Sequence, residues 1–384
     1  MVIAGAIASM LVLAACNALL DNTDRDLRAE TSAPSEAGRT EAGADAADAR
    51  VDDAPIGDAA CSKDLQSDEK NCGSCGHDCL GGKCVAGKCQ PFVFASAPAA
   101  QQVFVVDGTV YFTDATGTTG GVSWCPVSSC VKPTRVNVYT GLYGLAVDTA
   151  GVAVVTPVVG QVYVYSARFA QGVAPTVRAS ITAPVGVALD ATNIYLSTTD
   201  GSVHRVGRAA GAIARISTGT MSGGAVAVDA TNVYWAGGGS GAGPCATGCL
   251  QGALKTATET TTTGVSLGRM PRTLHANGGR LFWSAIGGPV GYQGEMSWRD
   301  NGLGGNEFFY ARQLGEPWGV TTFGDDVFFT VKSDGTVRRV ARAATEGLAV
   351  TVAFGQSGPR GVAVDATAIY WADDVAGSIF KLAR

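Results

Sequence analysis

The chain has 384 residues, enough for two or three ordinary domains or one large all-β domain, and 46% of them are hydrophobic, enough to fill a core. Its 52 glycines against only 16% charged residues point to turn-rich β structure rather than helices. The net charge of −5 is uneven: residues 17–60 hold 11 Asp/Glu and 4 Arg, leaving 22 acids and 24 bases elsewhere, a balance that excludes a strongly basic nucleic-acid surface.

The first 20 residues, MVIAGAIASMLVLAACNALL, are almost wholly apolar. The stretch ending in Leu13-Ala14-Ala15-Cys16 resembles the lipobox of bacterial lipoproteins. That resemblance implies a signal peptide over residues 1–15, cleavage before Cys16 and acylation of that cysteine. No Lys or Arg precedes the apolar run, a departure from the usual signal pattern. An uncleaved membrane anchor is the competing expectation, because 20 apolar residues can just span a bilayer. Either way the rest of the chain is expected to be exported, to a bacterial envelope and, on the lipoprotein reading, to its outer membrane. Residues 16–60 are rich in Asp, Ala, Glu and Ser and contain no aromatic residue. They cannot bury enough apolar surface to offset their ordering entropy, so a disordered, lipidated linker is expected there.

Residues 61–90 form the next segment. Eleven cysteines less Cys16 leave ten, an even number suited to disulfides in an oxidising compartment. Six of them, Cys61, Cys72, Cys75, Cys79, Cys84 and Cys89, crowd a stretch with too few apolar residues for a core, so cross-links are expected to replace it. Zinc on the CxxC, with His77 as a further ligand, is the alternative; six thiols suit one tetrahedral site poorly, and exported thiols oxidise. Which of the six pairs with which stays open. The NCGSCGHDC pattern resembles Cys-rich modules that precede repeat domains in myxobacterial surface lipoproteins and, more loosely, the stigma-specific cysteine-rich family. The resemblance covers this segment alone and implies no activity.

From residue 91 to 384 one phrase recurs. With Asp229 of AVAVDATNVYW as reference, its equivalents are Asp107, Asp148, Asp190, Asn277, Phe323 and Asp365, spaced by 41, 42, 39, 48, 46 and 42 residues. A period of forty-odd residues with strand patterning predicts an all-β, seven-bladed β-propeller, one four-stranded sheet per repeat. In each repeat an inner strand such as GVALD precedes an aromatic strand such as NIYLST, a third strand after glycine and an outer strand. Bulky residues stand one and three places before the reference and small ones two and four places before it, so one strand face is full and the other bare. The bulk of one blade is expected to enter the recess of the next. The reference aspartate is expected to cap the following turn. Only three strands remain for the last blade, so PFVFASA, residues 91–97, is expected to close the ring and cover its edge. Cys125–Cys130 and Cys245–Cys249 are expected to staple local loops.

The phrases VYFTD, VYWAG, LFWSA and IYWAD resemble the YWTD repeats of lipoprotein-receptor ectodomains, and GVAVD resembles NHL repeats. Both resemblances imply a propeller. Some propellers, the gluconolactonase and streptogramin-lyase groups, are metal-dependent hydrolases or lyases, and that is the alternative function. Its metal requires converging oxygen ligands, whereas the inner-strand positions here are Val, Ala, Gly and Leu nearly throughout. No nucleophile is paired with a base, and His275, alone on an inner strand, reads as a hydrogen-bonded structural residue. No catalytic residue, metal or cofactor is expected. The loops entering the inner strands should ring one mouth of the channel. Five places before the reference stand Gln102, Tyr143, Val185, Gly224, Arg272, Trp318 and Arg360, which vary where their surroundings repeat. Arg272, Trp318 and Arg360 fall on successive blades and set two guanidiniums beside an indole, a cluster suited to carboxylate, phosphate or sugar; solvated loop residues with merely stacked side chains are the alternative. The expected function is therefore a lipid-anchored binding module, monomeric, recognising an envelope or extracellular protein, glycan or small anionic ligand through Gln102, Tyr143, Arg272, Trp318 and Arg360.

Overall fold

The computed structural model describes residues 64–116, 119–137, 144–156, 160–166, 176–209, 211–218, 222–238, 247–259, 262–287 and 293–384. The expectations for residues 1–15, the linker 16–60, Cys16, Cys61, Tyr143 and Cys245 lie outside them. No helix among the described residues is long and apolar enough to cross a membrane. Apart from the small hairpin Cys84–Val85 with Lys88–Cys89, the described strands form seven antiparallel sheets of four. First strands of successive sheets touch around a ring in which the seventh meets the first. The protein is a seven-bladed propeller, as the repeat predicts.

Closure follows the predicted route. Blade seven takes Pro359–Val364, Ala368–Asp373 and Ser378–Ala383 from the end of the chain and Phe92–Ser96 from ahead of blade one. In that ladder Phe92 faces Lys381 and Ser96 faces Ser378. The edge left bare by the short last repeat is covered, and no row of main-chain groups on it stays open to another chain.

The repeated phrase explains itself atom by atom. The Asp190 carboxylate accepts the Thr192 and Asn193 amides at 2.9 and 2.8 Å through one oxygen and the Tyr195 hydroxyl at 2.8 Å through the other. Asp229 with Tyr234 and Asp365 with Tyr370 repeat the arrangement. The aspartate caps the hairpin turn, and the tyrosine of the aromatic pair ties it to the next strand. Burial, and then the carboxylate, push all three tyrosine pKa values up, so the phenols stay neutral donors. The tryptophan of the pair fills the core: Trp235, Trp283 and Trp371 are 1%, 0% and 0% exposed. Blade one turns instead on Asp107-Gly108, both left-handed at φ 47° and 71°, the primed hairpin turn that matches strand twist.

Packing between blades also follows the pattern. A β-carbon added at Gly144 of blade two would lie 3.0 Å from Val187 of blade three, and one at Gly186 would lie 2.9 Å from Val226 of blade four. The valine occupies the space that the glycine leaves, so a side chain there would force the blades apart.

Disulfides Cys72–Cys84 and Cys79–Cys89 hold the Cys-rich segment, and Cys125–Cys130 closes its loop in blade one. Cys75 and Cys249 are disulfide-bonded as well. Among the described residues, the one group of His, Cys, Asp or Glu at metal-binding separation is Cys72, Cys79 and Cys89, whose sulfurs are consumed in two of these bonds. His77 lies between carbonyls, with Nδ1 2.7 Å from Cys72 and Nε2 2.9 Å from Arg384 of blade seven. It joins the Cys-rich segment to the propeller.

Candidate functional site

The rim residues project because of a local backbone device. The ladder between first and second strands shifts register between Pro184 and Gly186, Gly223 and Val226, Pro271 and Thr273, Pro317 and Val320, and Pro359 and Val362. Val185, Gly224, Arg272, Trp318 and Arg360 each fall inside such a bulge, which releases a residue from pairing and re-aims it. Hydroxyls on the second strands then fix the released main chain. Thr330 accepts the Gly319 amide at 2.8 Å and donates to the Arg360 carbonyl of the next blade. Ser197 accepts the Gly186 amide at 3.1 Å and donates to the Gly224 carbonyl at 2.6 Å. Ser284 donates to the Trp318 carbonyl at 2.6 Å, and Thr113 of blade one accepts the Gln101 and Gln102 amides, both at 3.1 Å.

On this frame Arg272, Trp318 and Arg360 come together. The Arg272 guanidinium carbon lies 4.5 Å from the Trp318 ring centroid and that of Arg360 lies 4.0 Å away, so the indole holds two cations. The two arginines are not equivalent. Arg360 is anchored on Asp374 through Nε at 2.5 Å, and Lys332 reaches the same carboxylate oxygen at 3.0 Å. Burial works against the charged form of Asp374, but bonds from Arg360 and Lys332 outweigh it and hold its pKa below the usual carboxylate range. Among the described residues Arg272 has Glu316 alone for an acidic partner, at 3.6 Å, beyond hydrogen-bonding distance. Burial and the like charge of Arg360, opposed by Glu316, lower its pKa. Two buried polar atoms on the residues that touch Arg360, Trp318 Nε1 and Asp374 Oδ1, find no partner among the described residues.

Gln102 also makes a contact within the fold. Its side-chain oxygen accepts the Leu145 amide of blade two at 2.9 Å, so it braces two blades. His275 is structural, as expected: Nε2 lies 2.9 Å from the Thr322 hydroxyl of blade six, and burial together with the Arg342 charge pushes its pKa down to about 4.

At the opposite, hairpin end of the blades stands a set of contacts that sequence reading did not anticipate. Arg208 forks onto Asp148 of the preceding blade at 2.6 and 2.7 Å, and Lys255 meets Asp190 of its preceding blade at 2.8 Å. Arg342 donates to the Asn277 carbonyl at 2.5 Å, and Arg384 lies 3.7 Å from Asp326. Each cation directly follows a third strand, so its signal was a basic residue at one phase of the repeat. A cavity of about 550 Å³, lined by Asn232, Tyr234, Leu254, Val265, Asn301 and Leu303 among others, lies at this end beside blades four and five.

No family profile matches the sequence, and no curated protein does. Solved structures do. One is hydrazine synthase of Kuenenia stuttgartiensis, 13% identical with a TM-score of 0.60, covering 75% of this chain and 96% of that one. Another is YCF48 bound to a D1 peptide, 8% identical with a TM-score of 0.55, covering 77% and 96%. The likeness is one of fold alone. At such identities no function passes from those proteins to this one, and the side chains of the rim must carry the argument.

Proposed function

We propose that the protein is a recognition module whose rim around Arg272, Trp318 and Arg360 binds a carboxylate or phosphate presented by an envelope or extracellular partner, protein or glycan. The observation that carries this reading is the asymmetry of the stack. Asp374 immobilises one guanidinium, which props the indole, while the other is exposed in part and, among the described residues, held by no hydrogen-bonded acid. A planar cation backed by an indole can offer two parallel N–H donors to a carboxylate or phosphate with little loss of side-chain freedom. YCF48, similar in fold, was solved bound to a peptide.

The probes are inorganic phosphate and a short peptide ending in glutamate, titrated separately while the Trp318 indole N–H resonance is followed. Saturable movement that Arg272→Gln abolishes is the expected outcome. Movement that survives in Arg272→Gln, or that never saturates with either probe, defeats the proposal. Residues 1–60 are assigned the part of leader and tether on the Leu13-Ala14-Ala15-Cys16 signal, with lipid on Cys16 and the propeller held at the outer membrane. The intact mass of detergent-extracted mature protein decides that point: an unacylated Cys16 removes the anchor.

A further inference from the structure

The seam that closes the ring contains a lysine with an unusual environment. Lys381 lies on the last strand of blade seven, directly opposite Phe92 of the closing strand, and is 4% exposed. Its Nζ donates to the Val127 carbonyl of blade one at 2.8 Å and lies 5.2 Å from the Phe94 ring and 5.6 Å from the Tyr370 ring. Among the described residues no carboxylate reaches it within salt-bridge distance; Asp365 and Asp78 act on it only from farther away. Burial lowers its pKa. A buried ammonium is tolerated only where its few acceptors are held in place, and here the one hydrogen-bonded acceptor among the described residues is a main-chain carbonyl on another blade.

What holds that carbonyl is a disulfide. Val127 lies inside the loop closed by Cys125–Cys130, a sequence separation of 5. The Val127 amide is also tied, donating to the Gly108 carbonyl at 2.9 Å. Cys125 and Cys130 are 3% and 4% exposed and pack in one cluster with Phe94 and Ala95 of the closing strand, Val110 and Phe112 of blade one, and Tyr370 and Ile379 of blade seven. A loop this short gains less from restricting the unfolded chain than a long one does, because that effect grows with loop length. What sets this bond apart is what it positions.

We propose that the Cys125–Cys130 disulfide is the clasp of the propeller ring: it presents the Val127 carbonyl to Lys381 and so fixes the closing strand, and loss of the bond loosens this seam ahead of every other blade junction. Ring closure is thereby sensitive to reduction. Two electrons and two protons from an external dithiol convert the S–S bond to two thiols while the dithiol becomes a disulfide. Both sulfurs are buried, so the seam must breathe before a reductant can reach them.

Removing the bond genetically avoids reducing the other disulfides. In Cys125→Ser with Cys130→Ser, amide hydrogen exchange of residues 92–96 and 378–383 is expected to accelerate at least tenfold, while residues 203–207 and 214–217 of blade three exchange as in the parent. Lys381→Met, which removes the buried charge, should make the seam less dependent on the bond, so adding it to the serine pair should shrink the acceleration. Uniform acceleration over all blades, no acceleration at the seam, or an unchanged effect in Lys381→Met overturns the proposal. If the serine pair does not fold, the parent is treated with graded dithiol and alkylated. Labelling of Cys125 and Cys130 must then coincide with faster exchange at 92–96; labelling with the seam still protected refutes the clasp.

Discussion

At the scale of single residues, the fold rests on side chains that satisfy two partners at once. Asp229 caps a turn with one oxygen and receives Tyr234 with the other, which explains why a small acid and an aromatic recur five positions apart. Neither member can be replaced alone without leaving the other unpaired near the core. His275 gives this dependence a pH signature. Its folded pKa of about 4 lies below the ordinary 6.5, so between those values the unfolded chain binds a proton that the folded chain refuses. Stability contributed by the neutral ring is therefore complete above pH 6.5 and is lost as pH falls toward 4, by roughly 2–3 kcal/mol in all. Urea midpoints measured from pH 7 to 4 should show this decline, and His275→Gln, which retains a group able to bond Thr322, should flatten it. An unchanged slope in that variant removes His275 as the cause.

At the scale of elements, bulges and hydroxyls together make the rim. A regular first strand would point the rim residue along the blade; the bulge turns it out, and a serine or threonine on the second strand restores the lost main-chain bonds. Blades four and seven are bulged as well but carry Ala236 and Ala372 at the corresponding place, so among the bulged blades the hydroxyl device is confined to three, five and six. Thr330 serves the site most directly, since it holds Gly319 beside Trp318 and the carbonyl of Arg360. Thr330→Val keeps the shape and strands both main-chain groups, at a cost of about 2–4 kcal/mol. Chemical denaturation measures that loss, and the indole N–H of Trp318 should shift with it. A stability change below about 0.5 kcal/mol contradicts the role given to the hydroxyl.

At the scale of the whole molecule, the blades are fastened at both ends. Bulge carbonyls and hydroxyls join neighbours at the rim, while Arg208, Lys255 and Arg342 join them at the hairpin end. The Arg208–Asp148 fork is a charged link between carboxylate and guanidinium there with two short contacts, its arginine side chain being 10% exposed. Arg208→Met should cost about 1–3 kcal/mol, because it leaves Asp148 without its partner while keeping the aliphatic stem. Replacing Asp148 by Asn in the same chain should recover part of the loss, measured as a double-mutant cycle. Strict additivity of the two substitutions speaks against a link between blades.

The sequence by itself determined the number of blades, their strand order, the closing strand and the bare-against-bulky packing of inner strands. All of these follow from periodicity, and periodicity survives in one dimension because each blade solves the same packing problem as its neighbour. The Arg272–Trp318–Arg360 cluster was legible for the same reason: equal phase in successive repeats means adjacency in space. Tertiary structure alone decided what each rim residue is free to do. Gln102 and Arg272 share one phase, yet Gln102 is spent on the Leu145 amide and Arg272 is not, a difference set by which main-chain groups the neighbouring blade leaves open. Asp374 and Lys332, outside the repeated phrase, fix Arg360, and Val127 finds Lys381 across 254 positions of sequence. Such pairings depend on where a closed ring brings its two ends and on which buried polar groups lack partners, and neither quantity exists until the chain has folded.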